Sequence, residues 1–242
     1  MSGLDQPAIL KTANGFGWTS TIANQITFAA CAEISRIGGE PLVLDVGAGL
    51  GVGTFALLEA GAQVIVNDIS ERHLKCVLDE ARVRGYASKV QTVAGRFPYL
   101  NFSKIQLIHS SNVLHFLSPS EIEQGAQRML EWLQPEGMVF IQVGTVYAGH
   151  VKRLLPIFEE RCKSGIDWAG QPTDAKSVVA PAYRDATPDY MNYLYDEPLV
   201  RTFERFGFVT VNAWYYTRTG LPDDMKSDGR EHFGYIGKKP TR

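Results

Sequence analysis

The chain has 242 residues, 45% of them hydrophobic, and its 24 Lys and Arg against 26 Asp and Glu leave a formal net charge of −2. That suffices for one α/β domain with a full core and carries no basic footprint for nucleic acid, while three widely spaced cysteines without CxxC spacing, Cys31, Cys76 and Cys162, suggest neither a disulfide framework nor a zinc site. With no basic-then-apolar leader and no apolar run near the ~20 residues of a membrane span, a soluble, cytoplasmic protein with reduced thiols and no membrane contact is expected.

Residues Met1 to Gly39 precede the first expected strand and include Phe16-Gly17-Trp18-Thr19 and an apolar-rich helix around Ile22 to Ile34. The stretch Val43-Leu44-Asp45-Val46-Gly47-Ala48-Gly49-Leu50-Gly51-Val52-Gly53 then ends an apolar run on a carboxylate and supplies glycine at every second position. It reads as a buried strand feeding a tight loop, with Thr54 to Ala60 continuing as a helix. Glycines tolerate positive φ and put no Cβ between a ligand and the backbone, so such a loop cradles something. A dinucleotide and S-adenosylmethionine are the two candidates. The dinucleotide pattern GxGxxG requires glycine where Val52 stands, whereas Gly47, Gly49 and Gly51 spell GxGxG. Asp45 adds a negative charge where a pyrophosphate would approach, which suits a zwitterionic or cationic ligand better.

Gln63 to Asn67 is the second expected strand, ending on Asp68, and Asp68-Ile69-Ser70 opens a helix with apolar residues at Leu74, Val77, Leu78 and Ala81. A carboxylate at that strand tip, ~20 residues past the glycines, is placed to accept hydrogen bonds from two ribose hydroxyls. The plainer alternative is an acid interacting with a helix dipole.

Val90 to Ala94 and Ile105 to His109 follow as strands. Ser118-Pro119-Ser120-Glu121 is a capping box with proline at the first helical position, and Ile122, Ala126, Met129, Leu130 and Leu133 form one apolar helix face. Gln134-Pro135-Glu136-Gly137 is expected to stop that helix before a strand over Met138 to Val143. Leu199, Val200, Phe203 and Phe206 mark a last helix closed by Gly207, and Phe208 to Trp214 and His232 to Ile236 suit an antiparallel hairpin. Residues Thr145 to about Glu197 are too long for an ordinary connection, and Tyr147, His150, Trp168, Tyr183, Tyr190, Tyr193 and Tyr195 fall within them. These amphipathic rings suit the wall of a small-molecule pocket, or a well-packed irregular loop.

The glycine motif, Asp68, and Leu-Gln-Pro-Glu-Gly before the fifth strand together resemble the class I S-adenosylmethionine-dependent methyltransferases, over residues ~40 to 145 and ~196 to 238. The resemblance implies a Rossmann-like three-layer sandwich whose seven-stranded, mostly parallel sheet ends in an antiparallel hairpin. It implies one domain: a helical lid over 1–39, a core over 40–144 and 196–242, and an inserted cap over 145–195. It assigns the donor, S-adenosylmethionine with S-adenosylhomocysteine as product, to Asp45, Gly47, Ala48, Gly49 and Gly51, to Asp68 and Ile69, to Ser110 after the fourth strand, and to Trp18 in the lid.

One landmark departs from the family. Many members place an acid after the third strand for the adenine amino group, whereas Gly95-Arg96-Phe97 stands here. Adenine recognition then falls to backbone near Arg96 and Phe97 or to stacking on them, unless Phe97 is core and Arg96 solvated. Ser110-Ser111-Asn112-Val113-Leu114-His115 holds no Asn-Pro-Pro-Tyr, Pro-Cys or acid pair of the kinds used on DNA or on protein arginine. His115 and His150 are the two candidate general bases, each with packing as its alternative. The expected function is methyl transfer to an O, N or C nucleophile of a small-molecule acceptor, with Tyr147, Trp168, Tyr190 and Tyr193 as candidate substrate contacts. A protein acceptor, a nicotinamide-dependent oxidoreductase and a non-catalytic nucleoside-binding relative are the alternatives. No metal is expected, and the sequence leaves the oligomeric state open.

Overall fold

The computed structural model describes residues 9–12, 15 and 17–241. Strands β1 (Ile9–Lys11) and β2 (Trp18–Ser20) form a small antiparallel hairpin ahead of helix α1 (Gln25–Ile37). The Asn24 side chain caps α1 by accepting from the Thr27 N–H, and Ile26, Ala30 and Ile34 bury one face of it. The segment before the first core strand is therefore part hairpin, and Phe16 of its Phe-Gly-Trp-Thr motif lies outside the described residues.

The core alternates β3 (Leu42–Val46), α2 (Val52–Glu59), β4 (Gln63–Asp68), α3 (Glu71–Val83), β5 (Val90–Ala94), β6 (Ile105–Ser111), α4 (Pro119–Trp132) and β7 (Leu133–Gly144). The Ser118–Glu121 capping box forms as expected at the start of α4. Gln134 to Gly137, expected as a break, lies within β7, because Glu136 N–H donates to Lys239 O and Lys239 N–H to Gly137 O. Helices α5 (Leu155–Lys163), α6 (Ala175–Val178) and α7 (Asp196–Arg205) lead to β8 (Val209–Tyr216) and β9 (His232–Lys238).

The seven-stranded sheet runs β5-β4-β3-β6-β7-β9-β8, with β3 to β7 parallel and β9 antiparallel to both neighbours. Its two faces are covered by separate apolar clusters, one around Ile108, Ile141, Phe203 and Tyr235, the other around Ile26, Leu57, Val64 and Leu107. This is the expected three-layer α/β architecture. A third cluster, including Val151, Leu154, Phe158, Tyr183 and Met225, organises the segment after β7. Strand order reverses between β3 and β6, and in such sheets the crevice at the carboxyl ends of the strands flanking the reversal is where ligands bind. Val46 and Ser111 stand at those ends, with Asp68 at the end of the neighbouring β4.

Candidate functional site

A cavity of about 650 Å³ opens at this point, within the range that holds a small ligand. Parallel register sets Asp45 of β3 beside His109 of β6. Asp45 is 2% exposed; its Oδ2 accepts from Thr54 Oγ1 at 2.6 Å and its Oδ1 lies 2.8 Å from His109 Nδ1. His109 Nε2 in turn lies 3.0 Å from Thr27 Oγ1. Thr27 donates to Asn24 Oδ1, Asn24 Nδ2 to Ser111 Oγ, and Gln142 Nε2 to the same Ser111 Oγ, while Tyr216 OH donates to Gln142 Oε1. A continuous buried chain thus runs from α2 to β8 beneath the cavity. Each Asp45 oxygen takes one partner inside this chain, which fixes the carboxylate's orientation at the cavity wall.

At the tip of β4, Asp68 Oδ2 accepts from Gly49 N–H at 2.9 Å, and Oδ1 accepts from Ser70 N–H at 2.8 Å and lies 3.2 Å from His73 Nδ1. The carboxylate joins the glycine loop to the start of α3 and keeps acceptor capacity toward the cavity it lines. The loop needs its glycines. Gly47 sits at φ 64°, where a Cβ would lie 2.4 Å from Val113 Cγ2, and a Cβ on Gly53 would lie 2.8 Å from His109 Cε1.

The third landmark is resolved by Glu121. From the first turn of α4 it accepts from Arg96 Nη2 at 2.6 Å, from Tyr99 OH at 3.0 Å and from Ser118 N–H at 2.9 Å. Burial pushes its carboxyl up, and the bonds from Ser118 and Tyr99 with the Arg96 charge outweigh that, leaving it below its ordinary value. An acid therefore does reach this rim, from a different element than in the family pattern. Arg96 pairs with Glu121 while its side chain stays 57% exposed, and Phe97 joins the core, edge-on to Trp132, as the plainer alternative expects, though both still touch the cavity.

Of the residues singled out in the sequence, Asp45, Gly47, Ala48, Gly49, Asp68, Ile69, Arg96, Phe97, Trp18 and Tyr190 line the cavity. Gly51 and Ser110 do not: a Cβ on Gly51 would meet Val77, and Ser110 is fully buried in β6. Tyr147 faces a separate depression with Phe158 and Tyr195, Trp168 belongs to the main core, and Tyr193 is buried in the third cluster. His115 and His150 also lie off the cavity wall. Burial lowers each to about 4, so both are neutral near pH 7, and the Nδ1 of each lacks a protein partner among the described residues. The sequence reading missed His73 and His109; neither sits in a motif, and only strand register and the turn after β4 bring them to the two aspartates.

Residues 43–137 match a family model described as a methyltransferase domain. The chain is 32% identical over 104 residues to phosphoethanolamine N-methyltransferase 3 of Arabidopsis thaliana, covering 41% of this chain and 21% of that one. It is 30% identical over 146 residues to cypemycin N-terminal methyltransferase of Streptomyces sp, covering 59% and 50%. The chain thus spans half or less of these curated relatives. Among solved structures, an S-adenosylmethionine-dependent methyltransferase from Methanosarcina mazei is similar with a TM-score of 0.63 at 16% identity, covering 87% of this chain and 98% of that one. The 1,6-didemethyltoxoflavin-N1-methyltransferase of Burkholderia thailandensis, with bound 1,6-didemethyltoxoflavin and S-adenosylhomocysteine, gives 0.57 at 19% identity, covering 90% and 79%. At such identities these likenesses show a shared fold.

Proposed function

Over residues 43–137 this chain carries a methyltransferase domain of the class I S-adenosylmethionine-dependent family, and we propose that it moves a methyl group from S-adenosylmethionine to a nucleophile of a small-molecule acceptor. The observation that carries this reading is Asp68 at the tip of β4, tied to Gly49 N–H at 2.9 Å on the wall of the 650 Å³ cavity. That pair fits a nucleoside: a strand-tip carboxylate for two ribose hydroxyls, and a glycine loop that has no room for a Cβ at Gly47 and Gly51. The donor, when bound, supplies an electrophilic methyl on a sulfonium, leaving as a thioether.

The chain's own residues then bind and orient. Asp68 accepts from the ribose, the loop from Gly47 to Gly49 approaches the donor's amino-acid portion, and Arg96 with Glu121 flanks the adenine end. Trp18 and Tyr190, which line the same cavity, shield the bound pair from water so that the nucleophile meets the methyl in line. His115 and His150 stand off this wall and His109 is engaged at both ring nitrogens, so alignment rather than a dedicated base accounts for catalysis. The small-molecule reading draws support from the concave cavity of about 650 Å³ and from neighbours such as the toxoflavin-precursor enzyme. The relatives' names favour nitrogen as the methylated atom.

Isothermal titration with S-adenosylmethionine, S-adenosylhomocysteine and NAD tests the donor. Binding of both sulfur compounds and not NAD is expected, and the reverse would overturn the reading. Turnover of intact protein or peptide acceptors with none of small ones would move the acceptor class.

A further inference from the structure

Beside Ser20 and Phe116 of the cavity wall lies a group of polar side chains with no use in the donor site. Arg218, two residues past the end of β8, is 6% exposed and donates from Nη1 to Ser20 Oγ at 2.8 Å. No carboxylate among the described residues pairs with it, and burial lowers its guanidinium from the ordinary value. A buried cation without a counter-ion is costly to keep. Ser20, its side-chain partner, lines the cavity.

Next to it stands His232, which stacks on Tyr216 at 5.8 Å and pairs in register with Gly144 of β7. A Cβ on Gly144 would lie 3.9 Å from His115 Nδ1, so His115 and His232 flank one side-chain-free position. Asn192 N–H donates to His115 O at 2.8 Å, which fixes Asn192 alongside. The Nδ1 atoms of His115 and His232 and both side-chain polar atoms of Asn192 are buried and lack partners among the described residues. Unpaired polar atoms are scattered singly in most interiors; here they gather beside an unpaired arginine. Two contacts join this group to the cavity wall: Phe116 sits edge-on to His115 at 4.4 Å, and Ser20 accepts from Arg218.

Resting on the methyl-transfer reading above, we propose that this group is the acceptor subsite and that the acceptor carries a carboxylate, held by Arg218, with Asn192 and the imidazoles of His115 and His232 supplying neutral hydrogen bonds around it. A guanidinium fork matches a carboxylate in both charge and plane. The imidazoles add no charge, since burial holds His115 near about 4 and His232 near about 3. One net positive charge suits a monoanion, whereas a phosphate monoester brings about −1.5 to −2 at neutral pH and would need a second cation. The carboxylate end therefore lies deepest, and the nucleophile faces the donor.

The test uses the full chain loaded with S-adenosylhomocysteine and titrates acetate, benzoate and phenyl phosphate, with benzamide as the neutral shape control. Acetate or benzoate is expected to bind and benzamide and phenyl phosphate to bind at least tenfold more weakly. Arg218→Met should weaken carboxylate binding at least tenfold and Arg218→Lys less so, with affinity for S-adenosylhomocysteine unchanged. Circular dichroism melts report whether each variant folds, and Arg218→Lys carries the test if the methionine variant does not. Benzamide binding as tightly as benzoate, no binding of either carboxylate, or a carboxylate affinity unaltered by both substitutions would overturn the proposal. So would loss of S-adenosylhomocysteine affinity in the variants with carboxylate binding intact, which would give Arg218 to the donor. Failure of the wild-type chain to bind S-adenosylhomocysteine would instead remove the methyltransferase reading.

Discussion

His109 Nδ1 lies 2.8 Å from Asp45 Oδ1 while its Nε2 lies 3.0 Å from Thr27 Oγ1, so one imidazole ties the strand that feeds the glycine loop to the first turn of the N-terminal helix. Replacing it by phenylalanine leaves Asp45 buried with Thr54 as its remaining donor. His109→Phe should cost about 1–3 kcal/mol of stability and loosen the donor site, because a buried acceptor loses its partner. Denaturant unfolding and titration with S-adenosylhomocysteine check both; an unaltered midpoint would show the pair to be idle.

Asp68→Ala removes the acceptor for Gly49 N–H and Ser70 N–H as well as the proposed ribose partner. Affinity for S-adenosylhomocysteine should fall between about fivefold and about a hundredfold, corresponding to about 1–3 kcal/mol. Calorimetry reads it directly, and an equal dissociation constant would refute the ribose assignment.

Three buried histidines make stability depend on pH. Burial lowers His115 and His150 to about 4 and His232 to about 3, below the ordinary 6.5. Below pH 6.5 the unfolded chain takes up protons that the folded one refuses until the lowered values are reached, so stability should decline steadily from about pH 6.5 toward about pH 4. Above pH 6.5 these groups contribute no slope. Calorimetric melts across that range, repeated on His232→Gln, should show a shallower decline in the variant; parallel curves would contradict the assignment.

Gly47 and Gly61 both hold positive φ, 64° and 106°, yet a Cβ would meet Val113 at 2.4 Å in the first case and nothing within 4 Å in the second. Alanine at either position pays about 1–2 kcal/mol of backbone strain. Gly47→Ala should lose distinctly more, together with donor affinity, while Gly61→Ala binds S-adenosylhomocysteine as the parent does. Equal melting temperatures and affinities for the two variants would show that the loop tolerates a side chain.

The local signals were strong where one segment carries its own physics. The capping box at Ser118–Glu121, the alternate glycines and the carboxylate at the end of β4 each announce their role by spacing alone. The Gln-Pro-Glu-Gly stretch misled, since main-chain bonds to Lys239 from the far end of the chain hold it in β7. His115 and His150 were attractive as residue types, but burial behind Phe116 and against Tyr183 takes them off the cavity wall.

The sequence by itself determined the alternating α/β order, the loop that suits a nucleoside and the aspartate that accompanies it, because these follow from periodicity, φ tolerance and charge within short stretches. Only the tertiary structure decided what surrounds them. Strand register set His109 against Asp45, the α4 N-terminus brought Glu121 to Arg96, and the end of β8 left Arg218 buried beside His232 with no acid paired to it among the described residues. Such partners lie from 25 to 64 residues apart in the chain where a hydrogen bond joins them, and no local pattern encodes a contact that sheet order creates.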